Sequence, residues 1–287
     1  MTESRPYDSQ KTELMLQAVE LAKKGKGFTA PNPCVGALLE HKGHIVATGW
    51  HKSYGGPHAE VNAIEACREN GINPAECKLF VTLEPFNHQG KTPPCTRAIL
   101  TAGIKEVFIG LQDPNTKVAG GGTEFLRSQG VKVESGIAEQ ACRDLIRDFI
   151  LWNKESRPYS YLKLATTLDA KIATRAGSPA WISGPESREE VHRLRKRVQA
   201  VLIGKNTLET DDPQLTCRLK DVPSAKNQPL AVITCNELPQ DPERFQLVQK
   251  RPEQVVFFCR EKSSRSEQAD FLRQKGCRVW SLPGLSA

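Results

Sequence analysis

Long hydrophobic runs, an apolar N-terminal segment and abundant aromatic side chains are all missing from this sequence. No apolar stretch approaches the roughly 20 residues that a membrane-spanning helix needs, so we expect no membrane association. The first residues, MTESRPYDSQKTE, are polar and mixed in charge, and a secretory signal is therefore not expected. Aromatic residues make up only 6% of the chain, which disfavours a surface that stacks flipped nucleic-acid bases.

The cysteines are nine in number and scattered, which does not suit a disulfide framework. Without a secretory signal, they predict reduced thiols in a cytoplasmic protein. The formal net charge of +7 and the pI of about 8.9 suit a phosphate-bearing small substrate. The same charge also suits nucleic acid, or a mildly basic surface without specific meaning.

The pattern of helices and strands predicts two α/β domains, at residues 1–153 and 157–287, joined at the polar segment KESRPYS. In the first domain, apolar periodicity predicts helices at 12–24, from Pro57, at 96–103, 123–130 and 138–154, and strands at 34–40, 44–50, 78–83, 106–111 and 131–136. The second pattern begins at YLKLATTLDAKIA (161–173), with helices at 185–198 and 266–276 and strands at 199–204, 229–234, 254–260 and 277–282.

A zinc-deaminase pattern is present in the first domain. His58 and Glu60 open a helix, where both side chains can face one cleft; in zinc deaminases such a His binds the metal and the Glu transfers protons. Cys95 follows two prolines and heads another helix, whose N-terminus is expected to favour the thiolate. Alone, a His-x-Glu is usually an ordinary helix start and a Cys a small buried hydrophobe. Their combination with TLEP, GKTPPC and PNPCVG is specific.

The sequence resembles the bifunctional riboflavin-biosynthesis deaminase–reductase family. The resemblance rests on APNPCVGALL, GWHKSYGGPHAEVNAI, VTLEPFNHQGKTPPCTRAIL and QDPNTKVAGGG in the first half, and on LKLATTLDAKIAT, AWISGPESREEVHRLR and VLIGKNTLETDDPQLTCR in the second. It implies a cytidine-deaminase-like α/β/α domain that removes the 2-amino group of a ribosylated diaminopyrimidine 5′-phosphate. It further implies a dihydrofolate-reductase-like α/β domain that reduces the ribose with NADPH, in a homo-oligomer.

The resemblance also assigns site residues. His58 and Cys95 match zinc ligands, and Glu60 matches the proton shuttle. The substrate-binding positions are Asn32, His51, Lys91, Asp113 and Asn115 in the first domain and Arg195, Leu215 and Arg218 in the second. The NADPH positions are Ala165, Trp181, Thr207 and Asp211. Without the resemblance, Trp181 would be interpreted as a core aromatic and Arg195 as an exposed helix charge.

Phe86 departs from the family pattern, because the family has its third zinc-binding cysteine at this position. Three interpretations are open. His88 or Cys34 replaces the missing ligand; or the site binds metal weakly or not at all and the domain still binds substrate; or Phe86 is a sequencing or cloning change, since Cys to Phe needs one base change.

The second domain departs as well. Pro179 occupies a position where the family has Ser, and Thr234-Cys235-Asn236 replaces an Asp-Ser strand end. The family continues with a Glu-Gly-Gly stretch that cradles the cofactor pyrophosphate, and this stretch is absent from the sequence. We therefore expect a C-terminally truncated reductase domain that binds NADPH weakly or not at all. Three functions remain: a riboflavin-pathway enzyme with impaired activity, a non-catalytic substrate-binding homologue, or, less in keeping with the residues, a nucleic-acid deaminase.

Overall fold

The computed structural model describes residues 6–88, 93–114, 121–174, 182–219 and 228–282. The chain divides into two compact units, Met1–Tyr161 and Leu162–Ala287, and each has its own sheet. Within the described residues, no helix is both long enough and apolar enough to cross a bilayer.

The first unit is built on a five-stranded mixed sheet with strand order β2-β1-β3-β4-β5. β1 pairs antiparallel with β2 and β3, whereas β3, β4 and β5 are parallel. The strands are β1 Gly36–His41, β2 His44–Trp50, β3 Lys78–Leu83, β4 Glu106–Leu111 and β5 Lys132–Ser135. The helices are α1 Pro6–Lys23, α2 Ala59–Glu69, α3 Cys95–Thr101, α4 Gly122–Ser128, α5 Glu139–Leu145 and α6 Arg147–Glu155.

Alternate residues of the central strands point to opposite faces of this sheet and bury both. On β3, Leu79 and Val81 join one hydrophobic cluster with α2, α3 and α4. Phe80, between them, joins a second cluster with α1 and α5, where its ring stacks on that of Phe108 at 4.5 Å between centroids. Helices therefore cover both faces, and the unit is a three-layered α/β/α sandwich.

Gly49 sets how closely α2 approaches the sheet. A Cβ atom at this position would overlap backbone atoms of Ala59 and Ala63. The missing side chain lets the first turn of α2 lie directly on β2. This contact places His58 and Glu60 at the end of the sheet where β1 begins and β3 ends.

The helix predicted over 138–154 is two helices in the structure. α5 ends at Leu145 and α6 begins at Arg147, and Ile146 between them has φ −116° and ψ 30°, outside the helical region. Ile146 and Leu145 are buried in the second hydrophobic cluster, while no described side chain of α6 is buried. The prediction of one long helix was wrong because apolar periodicity does not detect a single residue with non-helical backbone angles.

The second unit contains a parallel four-stranded sheet with order β6-β7-β8-β9. The strands are β6 Ala200–Gly204, β7 Leu230–Thr234, β8 Val255–Cys259 and β9 Arg278–Ser281. The helices are α7 Pro185–Arg197, α8 Lys205–Asp211, α9 Gln246–Lys250 and α10 Glu267–Gln274; the sequence patterns did not predict α8 and α9. One hydrophobic cluster, which includes Phe245 and Phe257, forms its core.

The apolar segment at 161–173, where we expected the second α/β pattern to begin, forms neither helix nor strand. Leu162, Leu164, Leu168 and Ile172 are all exposed. Among the described strands, β6 pairs with β7 alone, and its residue Leu202 is 64% exposed. Apolar composition predicted an ordered element here, but a strand forms only when it pairs with another strand. Among the described residues this segment pairs with none, although β6 leaves one edge of the sheet open.

Candidate active site

A cavity of about 260 Å³ lies in the first unit, at the end of the sheet where α2 begins. Its walls include several of the residues that the sequence predicted for the site: Asn32, His51, His58, Glu60, Phe86, His88 and Asp113. Val35, Leu83 and Phe149 add apolar surface to the same cavity. A mostly apolar cleft with a few convergent polar groups is the usual form of a small-molecule site.

His58 and Glu60, which line this cavity, lie close to Cys95. His58 is the N-cap of α2 with extended backbone, Glu60 lies in its first turn, and Cys95 begins α3. His58 Nδ1 lies 3.1 Å from Cys95 Sγ, and the potential ligand atoms of the three residues are all within 4.8 Å of one another. Glu60 and Cys95 are 3% and 1% exposed. The loop–helix junctions of α2 and α3 thus bring an imidazole, a carboxylate and a thiol together.

Burial dominates the electrostatics of these three groups. It raises the pKa of Glu60 to about 7, and contact with the Cys95 thiol partly opposes that rise. Burial and the charge of Glu60 raise the pKa of Cys95 well above its usual value. Burial and the neighbouring His51 lower the pKa of His58, which keeps its imidazole neutral and suited to bind a metal.

The prediction that the start of α3 favours a Cys95 thiolate was wrong for the protein groups alone. A seven-residue helix offers only a partial positive charge, whereas the thiol lies in an almost water-free environment beside a carboxylate. Only an interaction with the Phe86 backbone lowers the pKa of Cys95. A metal cation would be needed to make this thiol an anion near neutral pH.

Phe86 lies next to this cluster. Its carbonyl accepts a hydrogen bond from the Thr96 N–H at 3.3 Å, so residue 86 lies against the first turn of α3, beside Cys95. The Phe86 ring is perpendicular to that of His58, with 5.7 Å between centroids, and 3.6 Å from the ring of His88. A side chain at position 86 is therefore close enough to join the cluster, but phenylalanine has no donor atom.

Neither residue that could have replaced the missing ligand joins the cluster. Among the described residues, His58, Glu60 and Cys95 form the group that could hold a metal ion, and it includes neither Cys34 nor His88. Cys34 belongs to the hydrophobic cluster on the α1 and α5 face, with its Sγ 4.0 Å from the Leu145 carbonyl. The His88 side chain is exposed and packs on the Phe86 ring.

The donor set nevertheless fits a metal ion. A catalytic zinc is usually held by three protein ligands of N, O or S type and keeps one position for water. His58 and Cys95 offer an imidazole and a thiolate, and the third donor within reach is the Glu60 carboxylate. The site thus differs from the pattern predicted from sequence in its third donor.

Asn32 and His51 form a polar part of the cavity wall beside the start of α2. His51 Nδ1 lies 3.0 Å from the Pro57 carbonyl, which can only accept, so Nδ1 carries the proton. His51 Nε2 is then an acceptor, and the Asn32 amide donates to it across 3.4 Å. Because this arrangement uses the amide N–H, the carbonyl oxygen of Asn32 is the atom suited to accept from a substrate amine.

Glu84 belongs to the TLEP motif, but the sequence did not predict a role for it. It is 8% exposed, and its carboxylate accepts from the Asp113 N–H at 3.1 Å and from the Thr123 N–H at 2.8 Å. It thus joins the loop after β3 to the loop after β4 and to the first turn of α4. Its position directly after a buried strand was the available signal. Phe149 was also missed, because its place on a predicted helix face gave no sign of a cavity.

The structure does not bring most of the remaining predicted site residues together, as far as they are described. Lys91, Asn115 and Trp181 lie outside the described residues. Thr207 and Asp211 lie one turn apart on α8 with exposed side chains, and Ala165 lies in the segment without regular structure. The described contacts do not bring these three together. The side chain of Leu215 is buried in the core of the second unit.

Arg195 and Arg218 do come together, at Thr216. Arg195 donates to the Thr216 carbonyl at 3.1 Å, and Arg218 donates to its hydroxyl at 3.3 Å. Burial and the charge of Arg218 lower the pKa of Arg195. His192, which the sequence analysis did not single out, accepts the Arg218 backbone N–H at 3.3 Å and holds this segment against α7. Two neighbouring guanidinium groups of this kind are suited to an anion.

Sequence profiles of two known domains match the chain. Residues 8–111 match the cytidine and deoxycytidylate deaminase zinc-binding region, and residues 158–282 match the RibD C-terminal domain. The riboflavin biosynthesis protein RibD of Aquifex aeolicus is 43% identical over 95% of this chain and 74% of its own length. The chain belongs to the RibD family.

Solved RibD-family structures share the fold. A deaminase/reductase from Thermotoga maritima has a TM-score of 0.82 and 37% identity, covering 96% of this chain and 82% of the other. RibD of Acinetobacter baumannii has a TM-score of 0.83 and 33% identity, covering 97% and 75%. These likenesses confirm the predicted fold class of a cytidine-deaminase-like domain followed by a dihydrofolate-reductase-like domain.

Several RibD relatives are longer than this chain. RibD of Bacillus amyloliquefaciens is 43% identical over 78% of the chain, but the match spans only 59% of its own length.

Proposed function

We propose that this chain works in riboflavin biosynthesis, where its N-terminal domain binds a ribosylated diaminopyrimidine 5′-phosphate in the cavity at the start of α2. In this proposal the N-terminal domain removes the 2-amino group by hydrolysis, and the C-terminal domain reduces the ribose with NADPH. The observation that carries the proposal is that Asn32, His51, His58 and Glu60 line one cavity and that Cys95 lies within ligand distance of His58 and Glu60.

The roles of these residues follow from their chemistry. The Asn32 carbonyl and His51 orient the base, and the apolar wall excludes water from it. His58 and Cys95 would hold zinc, which when bound lowers the pKa of a water molecule enough to supply hydroxide near neutral pH. Glu60, with its pKa raised to about 7, is suited to move a proton from that water to the leaving amine.

Phe86 limits this activity. With phenylalanine at position 86, two of the three ligands of the family pattern remain, so the metal is bound more weakly. According to this proposal, the protein binds its pyrimidine substrate well and deaminates it slowly. A non-catalytic binding homologue is the extreme case of the same proposal, and the presence of Phe86 beside His58 is the observation that favours it.

The reductase half contributes an anion site. Arg195 and Arg218, held together at Thr216, are proposed to bind the ribose phosphate. Thr207 and Asp211, exposed on the same face of α8, are the proposed contacts of NADPH, together with Ala165 and Trp181. The described contacts do not bring Ala165 together with Thr207 and Asp211, so we expect NADPH to bind weakly.

The test is to measure zinc per chain and ammonia release for the unaltered protein, Phe86→Cys and His58→Ala. We expect Phe86→Cys to raise both zinc content and ammonia release, and His58→Ala to abolish both. Substrate binding, measured by calorimetry, should be similar in the unaltered protein and Phe86→Cys. Absence of binding to the pyrimidine phosphate in both proteins would refute the proposal, and tight, salt-dependent binding of RNA would favour a nucleic-acid deaminase instead.

A further inference from the structure

Glu60 lies where two roles compete for one carboxylate. In the proposed reaction it transfers protons and does not bind the metal. In the structure, however, its carboxylate is within 4.8 Å of the ligand atoms of His58 and Cys95, and Phe86 removes the donor that would otherwise complete the set. The inference below rests on the zinc site of the proposed function and concerns its third ligand.

The charge of the site decides between the two roles. With a neutral His58 and one thiolate from Cys95, a divalent cation keeps one uncompensated positive charge. Cys95 is almost fully buried, and His58 is half-buried in a cavity with apolar walls, so an unpaired charge between them is unfavourable. A second thiolate at position 86 would cancel that charge. Since Phe86 supplies none, the only anion within reach among the described ligand groups is the Glu60 carboxylate.

The geometry permits this exchange of roles. Glu60 lies in the first turn of α2, two residues after His58, and the close contact of α2 with Gly49 fixes this turn against the sheet. Its carboxylate already contacts the Cys95 thiol. Coordination therefore requires that the carboxylate and the thiol release their protons to solvent when a cation binds between them, and it does not require a movement of the helix.

We propose that Glu60 is the third metal ligand in this chain, so that the site binds a divalent cation through one nitrogen, one sulfur and one carboxylate. A carboxylate that is bound to the metal is no longer available as the proton carrier. Phe86 thus weakens deamination in two ways, by removing a thiolate and by drawing Glu60 into the coordination shell. This mixed donor set should also prefer thiophilic metals less strongly than a two-thiolate site does, so its affinities for zinc and cobalt should differ less.

The test is a cobalt titration of four full-length proteins: unaltered, Glu60→Gln, Phe86→Cys, and Phe86→Cys with Glu60→Gln. Binding is followed by the thiolate-to-cobalt charge-transfer band and the d–d bands. With Phe86 present, Glu60→Gln should weaken cobalt binding by more than about 100-fold. Loss of a residue that only hydrogen-bonds to a metal ligand has a smaller effect. With Cys at position 86, the same change should weaken binding by less than about 10-fold, because two thiolates already hold and neutralise the ion.

Glu65→Gln, an exposed acid on the same helix, is the matched control and should leave cobalt affinity unchanged. Equal weakening by Glu60→Gln in both backgrounds would overturn the inference, as would failure of the unaltered protein to bind cobalt. Failure of Phe86→Cys to bind cobalt would instead refute the zinc site of the proposed function.

A second measurement does not depend on the folding of any variant. Infrared difference spectra of the unaltered protein with ¹³C-labelled glutamate, recorded before and after zinc is added, should show a protonated carboxyl band replaced by a metal-bound carboxylate band. No change in the glutamate bands on zinc binding would overturn the inference.

Discussion

Replacing Glu84 tests whether one buried carboxylate holds the loops around the cavity together. Its two oxygens accept the N–H groups of Asp113 and Thr123, at 3.1 and 2.8 Å. In Glu84→Ala both N–H groups lose their acceptor. Thr123 is fully buried, so its N–H group cannot be hydrated, whereas Asp113 is half-buried and can recover part of the loss from water.

The expected magnitude follows from these two bonds. Leaving a buried donor unsatisfied costs about 1–3 kcal/mol, and hydrogen bonds to charged groups are at the upper end. With one N–H fully buried and the other partly hydrated, Glu84→Ala should lower the free energy of unfolding of the first domain by about 2–4 kcal/mol. Glu84→Gln keeps one acceptor oxygen and should cost about half as much.

Urea unfolding followed by circular dichroism measures the loss of stability, with Glu65→Ala on the exposed face of α2 as the control. Hydrogen exchange read by mass spectrometry should show faster exchange of the peptides that contain Asp113 and Thr123. An unfolding free energy of Glu84→Ala within about 0.5 kcal/mol of the unaltered protein, the range of ordinary surface changes, would refute the reasoning.

Two further predictions follow from the charged groups. In chelator-treated protein, Glu60 keeps its proton up to about pH 7 while the unfolded chain releases it near pH 4.5, so stability should fall by up to about 3 kcal/mol as pH rises through that window. Urea unfolding at several pH values should show this slope flattened in Glu60→Gln; the same slope in both proteins would contradict the assignment. Arg195→Lys should weaken binding of the phosphorylated reductase substrate by about 10-fold, because lysine lacks the planar fork that pairs with phosphate. Calorimetry with the dephosphorylated substrate is the control, and equal weakening for both substrates would contradict a phosphate role.

Local patterns were enough to predict most elements of the first domain. The apolar runs of β3 and β4 and the helical periodicity of α1 and α2 are strong signals because each element has one or two faces buried against a continuous core. The break at Ile146 and the irregular segment at 161–173 were missed. Apolar periodicity does not detect one residue with non-helical backbone angles inside a helical pattern. Nor does it say whether an apolar segment will pair, and the described part of 161–173 stays unpaired although β6 has an open edge.

The sequence alone determined the family resemblance, the chemistry expected of His58, Glu60 and Cys95, and the departure at Phe86, because each depends on residue type and spacing. Only the tertiary structure decided how these groups act on one another. It brought the Glu60 carboxylate within ligand distance of His58 and Cys95 and left Cys34 and His88 outside the cluster. It also gave Glu84 its role between two loops. Distances between helix ends, and the loss of water that raises the pKa values of Glu60 and Cys95, arise only when the chain is packed.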